Sequence, residues 1–299
     1  MDHEEGHDEP RRENTYQSHP FDIDNVDVPQ SLTENSTRAN HVTPTCETQL
    51  IDASRRDDAD FETLLMKIGT NVTAVNQNGD TALLEASRSG YVDVCRWLIE
   101  KGADVNHVNT IGDSALIAAV KNRHIDVARL LIENGANINH AGAHRFTALI
   151  IACIFELVDV IRMLIDNSAD VNHMNQFEFA PLSCVSRNGN VEVARLLIEN
   201  GANVNHVDEY GFTALIHAVH NRHFDFARLL IDKGGADINP ADQYGNTPLI
   251  YALKNDHTDT ARLLIENGAN INHVNRKGNT PLTYAIRNGN IKMIQLLIL

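Results

Sequence analysis

The chain has 299 residues, with 25 Lys and Arg against 40 Asp and Glu, for a net charge of −15. That balance argues against nonspecific nucleic-acid binding, which needs basic surface to neutralise phosphates. No apolar run approaches the ~18 residues of a membrane-spanning helix, and the acidic start, Met1-Asp-His-Glu-Glu, lacks the positive region and apolar stretch of a secretory signal. The expected location is therefore cytoplasmic, with the nucleus possible, and without membrane insertion.

Residues 1–42 carry ten acidic residues against Arg11, Arg12 and Arg38, a net of −7. Pro10, Pro20 and Pro29 interrupt them, and few large apolar residues are present to offset the entropy of ordering. The segment reads as a disordered acidic tail, in which Phe21–Val28, alternating apolar and acidic, could serve as a short docking segment. From residue 43 a first, degenerate unit aligns with the one after it when shifted by one period. Arg55, Arg56, Asp57 and Asp58 would give it the polar outer side of a capping repeat.

Beyond that unit the organising stretch is Val191–Asn205, V-E-V-A-R-L-L-I-E-N-G-A-N-V-N, which recurs about every 33 residues. Its ending, L-I-E-x-G-A-x-[VI]-N, appears at residues 98–106, 131–139, 197–205 and 264–272, with damaged copies at 164–172 and 230–239. The residue that opens the first helix of each unit sets the register: Thr81, Ser114, Thr147, Ala180, Thr213, Thr247 and Thr280. The steps are 33 residues except one of 34, caused by the extra glycine in Gly234-Gly235. Each unit reads as an extended piece, an Asn/Asp/Gly turn, a Thr or Ser N-cap, a short helix of small residues, and a second helix closed by a glycine such as Gly135. Pro181, Pro248 and Pro281 take the first helical position, where a missing N–H costs nothing.

Asp242-Gln-Tyr-Gly-Asn-Thr-Pro-Leu249 and endings such as Leu264–Asn272 resemble the ankyrin repeat across residues 43–299. The resemblance implies an all-α solenoid of helix-turn-helix units with β-hairpin fingers, following the disordered N-terminal tail. The units would span about 43–74, 75–107, 108–140, 141–173, 174–206, 207–240, 241–273 and 274–299. It also implies protein binding through a concave face; no enzymatic activity and no cofactor are expected. An alternative is the substrate-recognition arm of a larger enzyme assembly, such as a ubiquitin ligase or kinase complex. Motifs for nucleotide binding, a nucleophile elbow or a zinc protease are absent from the sequence.

Departures from the family pattern carry further expectations. The usual His after the T-P-L triplet is replaced by Leu84, Ile117, Ile150, Ser183, Ile216, Ile250 and Thr283, so apolar packing is expected to take over its tie between repeats. Arg145, Glu178, Glu156 and Ser168 stand where glycine is expected, which predicts the least ideal backbone in the third and fourth full units (141–173 and 174–206).

The candidate partner-binding residues fall into two sets. Phe146, Phe155, Phe177, Phe179, Tyr210, Phe212 and Tyr244 gather at finger tips or the inward end of the first helix, and aromatics with Arg nearby are the composition of binding hot spots. Packing between neighbouring fingers is the competing role, for Phe146 and Phe212 above all. The second set, Arg187, Lys254 and Arg287, belongs to a basic series near the end of the first helices that also includes Arg88 and Lys121, with His220 in the same slot and Ile154 as the exception. It either caps the helix dipole or offers an inward basic stripe to a partner with an acidic segment.

His107, His140, His173, His206 and His273 recur one period apart, too distant from one another to share a metal ion. They read as copied finger residues. His217, His220 and His223 have no evident fourth ligand. Cys46, Cys95, Cys153 and Cys184 show no paired spacing and read as small apolar fillers. The last helix ends in Leu296, Leu297, Ile298 and Leu299, which predicts a partly exposed apolar end, covered by further chain, a partner or a second copy.

Overall fold

A computed structural model describes residues 71–298, all of which belong to one unit of the chain, 43–299. The acidic tail, Cys46, most of the degenerate first unit and Leu299 lie outside the described residues. Fourteen α-helices are present among the described residues, in seven consecutive pairs. The first four pairs are α1 (Ala82–Ser89) and α2 (Val92–Glu100), α3 (Ala115–Lys121) and α4 (Ile125–Glu133), α5 (Ala148–Ile154) and α6 (Val158–Asp166), and α7 (Pro181–Asn188) and α8 (Val191–Glu199). The last three are α9 (Ala214–His220) and α10 (Phe224–Asp232), α11 (Pro248–Lys254) and α12 (Thr258–Glu266), and α13 (Pro281–Arg287) and α14 (Ile291–Ile298).

Each first helix begins as the sequence predicts. The side chains of Thr81, Ser114, Thr147, Thr213, Thr247 and Thr280 accept a hydrogen bond from the backbone N–H three residues on, satisfying one of the orphan donors of the helix start. Ala180 provides no such cap, and Pro181 follows it. The first helices are small and apolar: Ala118, Ala119, Ala152 and Ala218 are at most 2% exposed. Small side chains let these helices pack more closely on one another than the second helices do, which places the first-helix row on the inside of a bend.

The expected β-hairpins are replaced by side-chain-locked turns. Among the described residues only two isolated antiparallel bridges occur, Val108 with Ser114 and Ala141 with Thr147. In every described finger the N–H of the base residue donates to the carbonyl four residues on, and in all but that of the third full unit the side chain of an Asn or Asp at the base locks the turn further. Asn109 Oδ1 accepts from the N–H groups of Ile111 and Asp113, as Asp208 Oδ1 does from Tyr210 and Phe212, and Asp242 Oδ1 from Tyr244 and Asn246. These side chains offer the turn the acceptors that a ladder would otherwise supply.

The missing histidine tie is not replaced by apolar packing alone. Nε2 of His107 lies 2.8 Å from the carbonyl of Gly79, and His140, His173, His206 and His273 repeat the contact to Gly112, Arg145, Glu178 and Gly245 at 2.6–3.0 Å. Beside this ladder runs a second. Asn106 donates to the Gly135 carbonyl and accepts from the Asn137 N–H, and Asn139, Asn172, Asn205 and Asn239 do the same across the following junctions. Each finger histidine therefore ties the end of its own unit to the finger at that unit's start, and the asparagine ladder carries the register on to the next unit.

Arg145 (φ 61°), Glu156 (56°), Ser168 (65°) and Glu178 (60°) occupy the left-handed region where the repeat pattern calls for glycine. His144 joins them at 54°, while Arg123, Arg222 and Asp256 place one such residue in each of three other units. Strain thus concentrates in the third full unit, and the fourth is no worse than its neighbours. The third is also the unit where Gly142 replaces the Asn or Asp of the finger base, leaving Asp113 Oδ1 buried without a partner. Replacing Ser168 with glycine should raise stability by about 1 kcal/mol, because it removes a side chain from a left-handed position. A shift of the urea midpoint to higher concentration at unchanged slope is the check, and an unchanged midpoint would show that the site carries no strain.

At the far end, Met293 and Leu297 of α14 are buried, whereas Ile291 and Ile298 are each 67% exposed and Ile286 of α13 is 58% exposed.

Candidate interaction face

The fingers and the first-helix row line the inside of the bend, and the residues there differ sharply from those outside. On the second helices, Arg96, Arg129, Arg162, Arg195, Arg228 and Arg262 form an exposed row. It is flanked by Asp93, Asp126, Asp159, Glu192, Asp225 and Asp259 on one side and by Glu100, Glu133, Asp166, Glu199, Asp232 and Glu266 on the other. One arginine per two carboxylates makes this outer face −6, and it is laced by pairs such as Arg162 to Glu192 at 3.0 Å. Across the fingers and first helices (residues 76–89, 109–121, 142–154, 175–188, 208–220, 242–254 and 275–287), eight Lys and Arg stand against seven Asp and Glu. The inside face is close to neutral.

That inside face also exposes apolar groups. Val75 (47% exposed), Val108 (40%), Met174 (37%), Val207 (47%) and Val274 (56%) occupy one slot in successive fingers, with Ala141 and Ala241 in the same slot of the other two. Ile111, at a finger tip, is 54% exposed. Sequence reasoning missed this row. Its signal is the residue that follows each finger histidine, whose exposure becomes visible only once the histidine is seen to turn inward to the neighbouring carbonyl.

The seven aromatic candidates divide on burial. Phe146, Phe179 and Phe212 are each 5% exposed, so they are core residues and not the surface anchors that the sequence suggests. They sit one residue before the helix cap, so the turn carries their rings under the next finger. The Phe212 ring lies 5.1 Å from His217 and 5.5 Å from Tyr251 of the next unit, and Phe179 lies 6.1 Å from Tyr210 and 6.0 Å from His217. Half-buried on the inside face are Phe155, Phe177, Tyr210 and Tyr244. Arg123 lies 4.8 Å over the Phe155 ring, and Phe177 stacks with His144 at 6.5 Å. Burial, with the carboxylate of Glu209, pushes the Tyr210 phenol up to about 12.

The basic series splits in a way that sequence could not reveal. Arg88 pairs with Glu85 at 2.8 Å and Asp80 at 3.2 Å, and Lys121 pairs with Asp113 at 2.7 Å in a site where both side chains are under 10% exposed. Arg187 is half-buried over the Phe179 ring at 5.6 Å, Lys254 lies 6.0 Å over Tyr251, and the exposed Arg287 lies 5.6 Å over Tyr284. Cation–π contact of this kind suits a charge at a partly wet surface.

Polar groups behind the face are held internally. Asp208 Oδ2 meets Nε2 of the buried His217 at 2.7 Å, and Tyr251 donates its hydroxyl to Asp242 Oδ2 at 2.6 Å. Burial holds His217 below the ordinary histidine range against the opposing pull of Asp208. His223 bonds the Arg187 carbonyl and His220 meets Asn221, so the three histidines of this stretch face different partners. Burial likewise raises the thiols of Cys95, to about 11, and Cys184, to about 12. They and Cys153 are buried and unpaired, as expected of small apolar fillers. Among the described residues no helix is long and apolar enough to cross a membrane.

This architecture is that of a helical repeat array. The family model for ankyrin repeats matches residues 24–109, 106–175, 149–242 and 234–299, and the chain belongs to that family. The first match begins within the segment expected to be a tail. A comparison with curated protein sequences returns no significant match. Ankyrin repeats are generally protein–protein interaction modules.

Proposed function

We propose that this protein is a non-enzymatic interaction scaffold that binds a protein partner on its inside face, centred on the fourth to sixth full units. The observation that carries the reading is the contrast between faces. An otherwise strongly acidic chain keeps one long side near neutral and lines it with exposed aliphatic side chains and half-buried rings. Exposed apolar rows beyond a few scattered residues mark interaction surfaces, and aromatic groups with arginine nearby supply binding hot spots.

Phe177, Tyr210 and Tyr244 serve as anchors, with Phe155 at the margin. The exposed Met174 and Val207 belong to the same fingers as Phe177 and Tyr210, and Val274 to the finger after Tyr244. Affinity capture from the native cell tests the reading, comparing the intact protein with a Phe177→Ala, Tyr210→Ala double variant of unchanged helicity. Truncating such anchors should cost ~2 kcal/mol or more, chiefly through faster dissociation. Equal capture of the same partner by both proteins would reject this face.

A further inference from the structure

In the first two full units the residue before the helix cap is an aspartate, and it neutralises the cation eight residues further on: Asp80 with Arg88 at 3.2 Å and Asp113 with Lys121 at 2.7 Å. In the last two units that residue is Asn246 or Asn279. Arg287 Nη2 donates to Asn279 Oδ1 at 3.3 Å, the same contact that Arg88 makes with Asp80. The hydrogen bond is kept and its countercharge is removed.

The last finger adds two more cations. Its tip carries the exposed Arg276 and Lys277, at two positions where no other described finger has Lys or Arg. The Arg276 N–H donates to the Tyr244 carbonyl at 3.0 Å, and its stem passes Gly245, so the last two fingers are held side by side. Lys254 feels the charge of Lys277: after burial, that neighbouring ammonium is the next largest influence lowering its pKa.

We propose that Lys254, Arg276, Lys277 and Arg287 form a subsite for a short run of Asp or Glu side chains in a partner protein, whose adjoining apolar residues run back toward Tyr244 and Tyr210. This rests on the reading that the inside face binds protein, and it adds the partner's chemistry and direction. The exposed Glu178 and Glu209, on the fourth and fifth fingers, limit the acidic run to the last two units. A long polyanion such as nucleic acid would meet those carboxylates instead of countercharge.

The probe is fluorescein-labelled hexaglutamate, followed by anisotropy at low salt, where exposed charges are least screened. The wild-type protein should bind it saturably, and a Lys277→Glu, Arg287→Glu variant should bind at least tenfold more weakly. Both side chains are exposed, so the fold should persist, with circular dichroism as the check. A control Arg195→Glu variant, altered on the outer row, should stay within twofold of wild type. No binding by the wild type, or equal losses in the variant and the control, would overturn the subsite. In the capture experiment, loss with the Phe177, Tyr210 variant but full retention with the Lys277, Arg287 variant would leave the face standing and remove the subsite alone.

Discussion

Replacing Lys121 with methionine is expected to destabilise the array by about 3–5 kcal/mol, the cost of leaving a buried charge without its partner. Lys121 and Asp113 are 8% and 6% exposed at the side chain and meet at 2.7 Å. The other carboxylate oxygen of Asp113 already lacks a partner, so nothing nearby can take over when the ammonium is removed. A second change, Asp113→Asn, should recover much of the loss, because it removes the stranded charge while keeping a polar group of similar shape. Urea midpoints for the two single variants and the double variant form the cycle that measures this coupling. Additive losses would show that the two groups act independently. The same change at Arg88, whose side chain is 26% exposed, should cost less, since water can reach the carboxylates it leaves behind.

Phe212→Ala should cost a similar amount, about 3–5 kcal/mol, as buried aromatic truncations do when the surroundings collapse only in part. The Phe212 ring lies between His217 of its own unit and Tyr251 of the next, so its loss opens a cavity at a junction between repeats. Stability in a repeat array is a sum of unit and interface contributions, and a weakened junction can let the two sides unfold separately. The variant should therefore show a broadened or divided urea transition. Tyr244→Ala, which truncates a half-buried ring at a finger tip, should cost far less and leave a single transition. Equal destabilisation by the two changes would contradict the division of the aromatics into core and surface groups.

The repeat itself was legible in the sequence because its signals are local. A Thr or Ser before a helix, a proline at the first helical position and a glycine after the second helix each act within a few residues, and their 33-residue spacing set the register of every unit. The left-handed positions at Arg145, Glu156, Ser168 and Glu178 were legible for the same reason: the pattern demanded glycine there, and the backbone kept the conformation without it. The composition of the inside face, with its aromatics and its basic series, could also be read.

What each of those side chains does was decided by tertiary structure, since it depends on groups far along the chain or in the next unit. Phe212 and Tyr244 are both aromatic finger residues, yet one lies under the next finger and the other stands half-buried at the tip. Arg88 and Arg287 hold the same slot, but Asp80 neutralises the first and Asn279 leaves the second charged. The finger histidines looked like incidental copies until the fold brought each ring to a finger carbonyl 28 residues earlier in the chain. Local chemistry specifies the unit, and only the stacking of units determines which of its side chains are buried, which are neutralised and which remain available to a partner.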